Sequence, residues 1–233
     1  MNKFNFRCLL SIAAACLIPV NLVFALEVAL QPGRDYVEVL HKGQYVRVQR
    51  IQDQTHQLVG GFAKTSRKCP PFCIQPEEVA PGIKTVAEPF VFDFMEKKVN
   101  SGQGMLIDAR IPAWYEKGTI PGSINIPFTD FEKPVGSNEL RQAFLKLGGV
   151  ERQGVGSITL MIEEWGLNNG GQKTEHWDFT NAREIVVWCN GPWCGQSPRA
   201  IRALVKHGYP EEKIFYYRGG MQLWQIFGLV TVK

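Results

Sequence analysis

The stretch Ile185-Val186-Val187-Trp188-Cys189-Asn190-Gly191-Pro192-Trp193-Cys194-Gly195-Gln196-Ser197-Pro198-Arg199-Ala200 constrains the fold more than any other part of this chain. A β-branched apolar run ends at Cys189, a compact loop follows, and Ser197 and Pro198 read as the N-cap and first position of a helix. Cys189 is thereby placed where a strand runs out, facing backbone N–H groups of a loop and a helix start. Such a place favours an anion, and a thiolate is one. The pattern points to an activated sulfur nucleophile, against the plainer reading of a core thiol at a strand end.

The flanking segments extend the pattern. Met105-Leu106-Ile107-Asp108-Ala109-Arg110 is a short apolar strand ending in Asp-x-Arg, and Gly118-Thr119-Ile120-Pro121-Gly122-Ser123 follows it. After the cysteine loop come a helix-like run to His207-Gly208-Tyr209, a strand from Ile214 to Tyr217, and Arg218-Gly219-Gly220-Met221-Gln222-Leu223-Trp224. Strands alternating with helices argue for an α/β domain with a mostly parallel sheet. In order and spacing the four pieces resemble the rhodanese family from about Val86 to Lys233. That resemblance implies a parallel five-stranded sheet flanked by helices and a sulfurtransferase that carries sulfane sulfur as a cysteine persulfide. The donor would be a small molecule such as thiosulfate or a persulfide, and the acceptor a thiol, which a protein can supply. No organic cofactor is called for.

Within this resemblance, Cys189 is the first candidate nucleophile, and Asn190, Gly191, Trp193, Gly195, Gln196 and Ser197 are the loop that cradles it and its anionic substrate. Gly191 and Gly195 are expected to give that loop its backbone freedom, while Pro192 removes one donor. Asp108 and Arg110 resemble the family's Asp-x-Arg and are expected to brace adjacent loops. Gly219 and Gly220 are expected at turn and packing positions. The chain also departs from the family. Many rhodaneses have five residues between the catalytic cysteine and the helix-opening Ser; here there are seven, 190–196. The longer loop resembles the related cell-cycle phosphatases and arsenate reductases, which place an oxyanion-clamping arginine six positions after the cysteine. That position is Gly195, and Arg199 comes later on the helix, so phosphatase chemistry is disfavoured.

Cys194 leaves three readings open. It can be the nucleophile at the loop apex, a resolving thiol that turns a Cys189 persulfide into a Cys189–Cys194 disulfide, or half of an inert bridge.

Residues 1–25 read as an export signal: Lys3 and Arg7 precede an apolar stretch from Cys8 to Phe24, and Val23-Phe24-Ala25 fits a cleavage site. Pro19 and Asn21 interrupt the run before it can span a membrane, and a lipid anchor at Cys16 is the lesser alternative. Removing 25 of 233 residues leaves 208, and loss of Lys3 and Arg7 lowers the formal charge from +4 to +2. A chain that near neutrality, without a basic block, gives no sign of a nucleic-acid partner. The expectation is an exported, periplasmic protein with no membrane span in the mature chain.

Four cysteines remain after cleavage, and Cys69-Pro70-Pro71-Phe72-Cys73 suggests a local disulfide, or thiols independent of the cysteine loop. Spacings of three and four residues do not match structural zinc knuckles, so no metal is expected. Residues 26–84 read as a β-rich extension carrying that loop, with Tyr36–Leu40 and Tyr45–Gln49 alternating as a hairpin. Residues 85–233 are the rhodanese-like domain, with a helix near Pro89–Val99. An insertion at about 149–182 can fold over the cysteine loop or be a plain surface excursion. Within it, His176 and Asp178 have nothing to place them near Cys189. The rival to a sulfurtransferase is a non-catalytic binding or thiol/disulfide redox module that keeps the fold and uses its cysteines as disulfides.

Overall fold

Five parallel strands form the central sheet of the structure, a computed structural model that describes residues 27–233. The expected export segment, with Cys8 and Cys16, lies outside those residues. In chain order the strands are β1 (Tyr36–His41), β2 (Gln44–Gln49), β3 (Lys84–Val86), β4 (Gly104–Asp108), β5 (Ser123–Asn125), β6 (Val150–Glu151), β7 (Trp177–Asp178), β8 (Glu184–Trp188) and β9 (Ile214–Tyr217). The helices are α1 (Glu88–Phe94), α2 (Pro112–Tyr115), α3 (Phe128–Phe131), α4 (Asn138–Lys146), α5 (Ser157–Glu164), α6 (Gln196–Lys206) and α7 (Gly220–Ile226). The sheet order is β3-β9-β8-β4-β5, with β8 in the middle. This is the α/β class and strand count expected.

β8 explains its own central position. Both faces of a parallel sheet are covered, so its strands are apolar throughout. Ile185 and Val187 pack with α3, α4 and α6 through Phe131, Phe144, Ile201 and Leu204. Val186 and Trp188 pack on the opposite face with Val91, Met95 and Trp224. The period-2 alternation then turns Cys189 toward the α6 side.

The N-terminal hairpin is the outer layer of that second face. Lys42 and Gly43 both have positive φ, 49° and 81°, the turn geometry whose twist matches two antiparallel strands. Val37, Val39 and Val48 are fully buried against the α1 side of the sheet, each contributing about 1.5–3 kcal/mol by burial. Asn100 fastens the hairpin edge, donating to the Glu38 carbonyl at 2.8 Å and accepting from the Leu40 N–H at 2.8 Å. The helix expected near Pro89–Val99 is present as α1 continued by a wide turn, in which the Asn100 N–H bonds the Met95 carbonyl.

The insertion does not lie over the cysteine loop. Its short β6–β7 ladder brings Trp177 and Phe179 against Phe144, at 4.9 and 5.2 Å between ring centroids. Thr174 abuts Gly208 just past the C-terminus of α6, whereas the cysteine loop feeds its N-terminus. Burial of three aromatic rings holds the segment there. Among the described residues no helix is long and apolar enough to cross a membrane.

Candidate active site

The loop Cys189–Gly195 joins the end of β8 to α6 and brings both cysteines into one buried pocket. Cys189 is 2% exposed and Cys194 5%, and both are free thiols. Gly191, at φ 153°, lets the chain turn back so that its carbonyl accepts the Cys194 N–H at 2.9 Å. Gly195 is different: its φ of −81° is open to any residue, so the freedom expected there is not used. Helix α6 also starts earlier than the sequence suggests. Gly195 occupies the N-cap position and Ser197 is already inside the helix. The Ser197 hydroxyl is not a cap because it donates to Cys189 Sγ at 2.9 Å.

The two thiols have opposite environments. Burial pushes the Cys189 thiol well up, and the adjacent Cys194 sulfur raises it further, while the Ser197 hydroxyl and N–H oppose this. Burial alone would raise Cys194 as well. It is outweighed by hydrogen bonds from the Cys189 S–H, the backbone N–H groups of Gln196 and Asn190, and the Asn190 amide, which bring the thiol down to about 7. The Asn190 amide nitrogen stands 3.7 Å from Cys194 Sγ. The two directions make Cys194 the readier thiol to ionise, while Cys189 Sγ donates to the Cys194 carbonyl at 3.3 Å.

Asp108 and Arg110 brace this loop from below. Arg110 is 1% exposed and Asp108 fully buried. They pair bidentately at 2.8 and 2.6 Å, and Thr119 donates to the same carboxylate at 2.9 Å. The guanidinium also lies 4.8 Å from the ring of Trp188, the residue before Cys189. Gly220 touches the loop directly. A Cβ there would meet the Cys189 carbonyl oxygen at 2.2 Å, and the neighbouring Met221 N–H bonds that oxygen at 2.9 Å. Gly219 packs against Leu223 and Tyr217.

Three contributions were not anticipated. Tyr216, on β9 beside β8, buries its hydroxyl near Ser197 and the two sulfurs without a partner at hydrogen-bond distance. Its placement could be found only once the β8–β9 register, Val187 against Tyr216, was known. The second is the disulfide loop. Cys69 and Cys73 are bonded as expected, but the loop is not independent of the site. Phe72 packs edge-on against Trp193 at 5.2 Å, and the Gln75 N–H bonds the Pro192 carbonyl at 2.8 Å. Arg218 then holds the Gln75 carbonyl at 2.7 and 3.2 Å. The third is Gln222, whose side-chain oxygen accepts the Trp193 indole N–H.

His176 and Asp178 are not brought to the thiols: His176 faces Glu175, and Asp178 faces Lys173. His176 lines a cleft of about 920 Å³ with Lys133, Arg202 and His207, along the far end of α6. Arg199 points away from the loop into a bidentate pair with Glu132, at 2.7 and 2.6 Å.

No curated protein matches this chain. Solved structures that match it include the Rhodanese_3 like domain from Anabaena sp., at 17% identity over 55% of this chain and 98% of that one, with a TM-score of 0.30. An uncharacterized protein from Saccharomyces cerevisiae matches at 19% identity over 63% of this chain and 93% of that one, TM-score 0.35. The As-Sb reductase from Leishmania major matches at 18% identity over 62% and 79%, TM-score 0.33. The family model for the rhodanese-like domain matches residues 92–226, more than half of the sequence, and the chain belongs to that family.

Proposed function

We propose that this protein is a sulfane-sulfur transferase in which Cys194 is the attacking thiolate and Cys189 the resolving thiol. The observation that carries the reading is the pairing of environments: four donors lower Cys194 to about 7, and one of them is the Cys189 S–H. In the sequence Cys189 stands first; its deep burial and raised thiol favour exchanging the roles.

In the loading step, the Cys194 thiolate attacks the outer sulfur of a donor such as thiosulfate. A Cys194 S–S bond forms, the donor S–S bond breaks, and sulfite leaves with the electron pair. The backbone N–H groups and the Asn190 amide that hold the thiolate also face the persulfide anion. An acceptor thiolate then takes the outer sulfur, returning Cys194 as thiolate. Alternatively Cys189 attacks Cys194 Sγ, which releases hydrosulfide and leaves a Cys189–Cys194 disulfide. Two electrons from an external dithiol restore the pair. Residues 1–25, together with the Cys69–Cys73 disulfide, support an exported, periplasmic setting.

Burial of both thiols favours a second reading, a thiol/disulfide redox module without sulfur transfer. The mass of the reduced protein before and after thiosulfate separates the two. Gain of one sulfur on the 189–194 peptide, lost in Cys194→Ser and kept in Cys189→Ser, establishes transfer with these roles. Gain that follows Cys189 keeps the function and reverses the roles. No gain in either Cys189→Ser or Cys194→Ser, where the loop cannot bridge and a loaded sulfur cannot be expelled, sinks the transferase reading.

A further inference from the structure

The cysteine loop has no charge of its own. From Cys189 to Pro198 every residue is neutral, Arg199 is held by Glu132, and Arg218 is spent on the Gln75 carbonyl. A dianionic donor approaching this loop meets N–H dipoles but no free cation from the family-matched residues around it. The charge comes from elsewhere. Arg67, outside the matched residues 92–226, lays its guanidinium 4.3 Å from the Trp193 ring and 4.9 Å from the Phe72 ring. Trp193 immediately precedes Cys194.

Resting on the sulfur-transfer reading, we infer that Arg67 is the donor-binding cation of this site and selects a sulfur donor with an oxyanionic end, such as the sulfonate group of thiosulfate. Three properties point the same way. Arg67 has no carboxylate partner among the described residues, unlike Arg110, Arg152 and Arg199. Its Nε is buried and meets no acceptor, the state that a bound oxyanion relieves. The guanidinium lies against both rings of the Phe72–Trp193 pair, contacts that hold the cation beside Cys194 without using its N–H groups as hydrogen-bond donors. The Cys69–Cys73 disulfide and the Gln75–Pro192 hydrogen bond fix the segment that carries Arg67, so the cation is positioned before the donor arrives.

The test separates binding from chemistry. Thiosulfate affinity is measured calorimetrically on the Cys189→Ser/Cys194→Ser double variant, which cannot react, with Arg67 intact, Arg67→Lys and Arg67→Gln. Arg67→Gln is expected to weaken binding about tenfold and Arg67→Lys by less, since a point charge replaces a fork. In the otherwise unaltered protein, Arg67→Gln raises KM for thiosulfate about tenfold with kcat within about twofold. KM for a neutral organic trisulfide stays unchanged. Equal thiosulfate affinity across the three double-variant proteins overturns the assignment. So does an equal loss with both donors, which makes Arg67 a packing residue of the cover. Failure of the sulfur-transfer reading shows differently: the unaltered protein takes sulfur from neither donor, whatever the binding result.

Discussion

Ser197 Oγ donates a 2.9 Å hydrogen bond to Cys189 Sγ, so a hydroxyl placed to cap a helix is instead committed to a thiol. Cys189 Sγ in turn donates to the Cys194 carbonyl at 3.3 Å, and its thiol favours the ionised form of the adjacent Cys194 sulfur. Ser197, Cys189 and Cys194 thus form a linked row of groups ending at the thiol that is lowered. Ser197→Ala leaves a buried sulfur one donor short and is expected to cost about 1 kcal/mol in urea denaturation. On the proposed roles it is also expected to slow hydrosulfide release, the step assigned to Cys189, and to leave loading of Cys194 unaffected. An equal slowing of both steps removes the distinction between the two thiols.

The alkylation rate of reduced protein by a small reagent should rise with pH about a midpoint near 7, from Cys194. Cys189→Ala removes a donor to the thiolate, so the midpoint moves up; Asn190→Ala moves it the same way. The sign for stability follows from linkage. The folded pKa lies below the ordinary value near 9, so the Cys194 contribution is complete above 9 and lost as pH falls through about 7. Relative to Cys194→Ser, reduced protein should gain stability between pH 7 and 9. A midpoint unmoved by Cys189→Ala refutes the link between the two thiols.

Much of this was legible in the residues, for reasons that separate by range. The apolar runs Ile185–Trp188 and Met105–Asp108 name their strands, and Lys42-Gly43 names its hairpin turn, because period and turn chemistry are local. The five-stranded parallel sheet follows from their order. Helix α6 starts two residues before the position its sequence suggests: Ser197 satisfies the rules for a cap, but the partner that claims its hydroxyl lies eight residues back across a loop. The disulfide loop looks self-contained in sequence; its contacts with Trp193 and Pro192 join segments more than a hundred residues apart. The insertion's two open placements could not be told apart for the same reason, since its seat on Phe144 is a matter of three-dimensional packing.

The buried Asp108–Arg110 pair makes a stability prediction of larger size. Asp108→Ala leaves a fully buried guanidinium with only the Gly118 carbonyl at 2.7 Å to receive its protons. Breaking a buried pair in this way costs about 3–5 kcal/mol. The expected outcome is a greatly lowered denaturation midpoint, with sulfur loading lost in proportion to the unfolded fraction. A stable variant that fails to load sulfur means that the pair acts in the chemistry and not in bracing Trp188.

Gly220 makes the sharpest geometric prediction, because its neighbour Gly219 serves as the control. Gly220 has φ 52°, where an L side chain carries about 1–3 kcal/mol of strain. The contact adds to that, since the Cβ of Gly220→Ala would stand 2.2 Å from the Cys189 carbonyl and 2.8 Å from the Gly191 nitrogen. Both are backbone atoms of the reactive loop, so relief requires the loop to move. Gly219, at φ −58°, would bring its Cβ 2.9 Å from Leu223 Cδ1 and 3.0 Å from Leu223 Cβ and Tyr217 Cε2, all side-chain atoms outside the loop backbone. Gly220→Ala should therefore lower both the melting temperature and the rate of persulfide formation, the rate by about tenfold or more for an ångström-scale displacement. Gly219→Ala should shift the melting temperature modestly and leave the rate near that of the unaltered protein. Equal rates in the two variants would falsify the view that Gly220 sets the position of Cys189 and the loop that follows it.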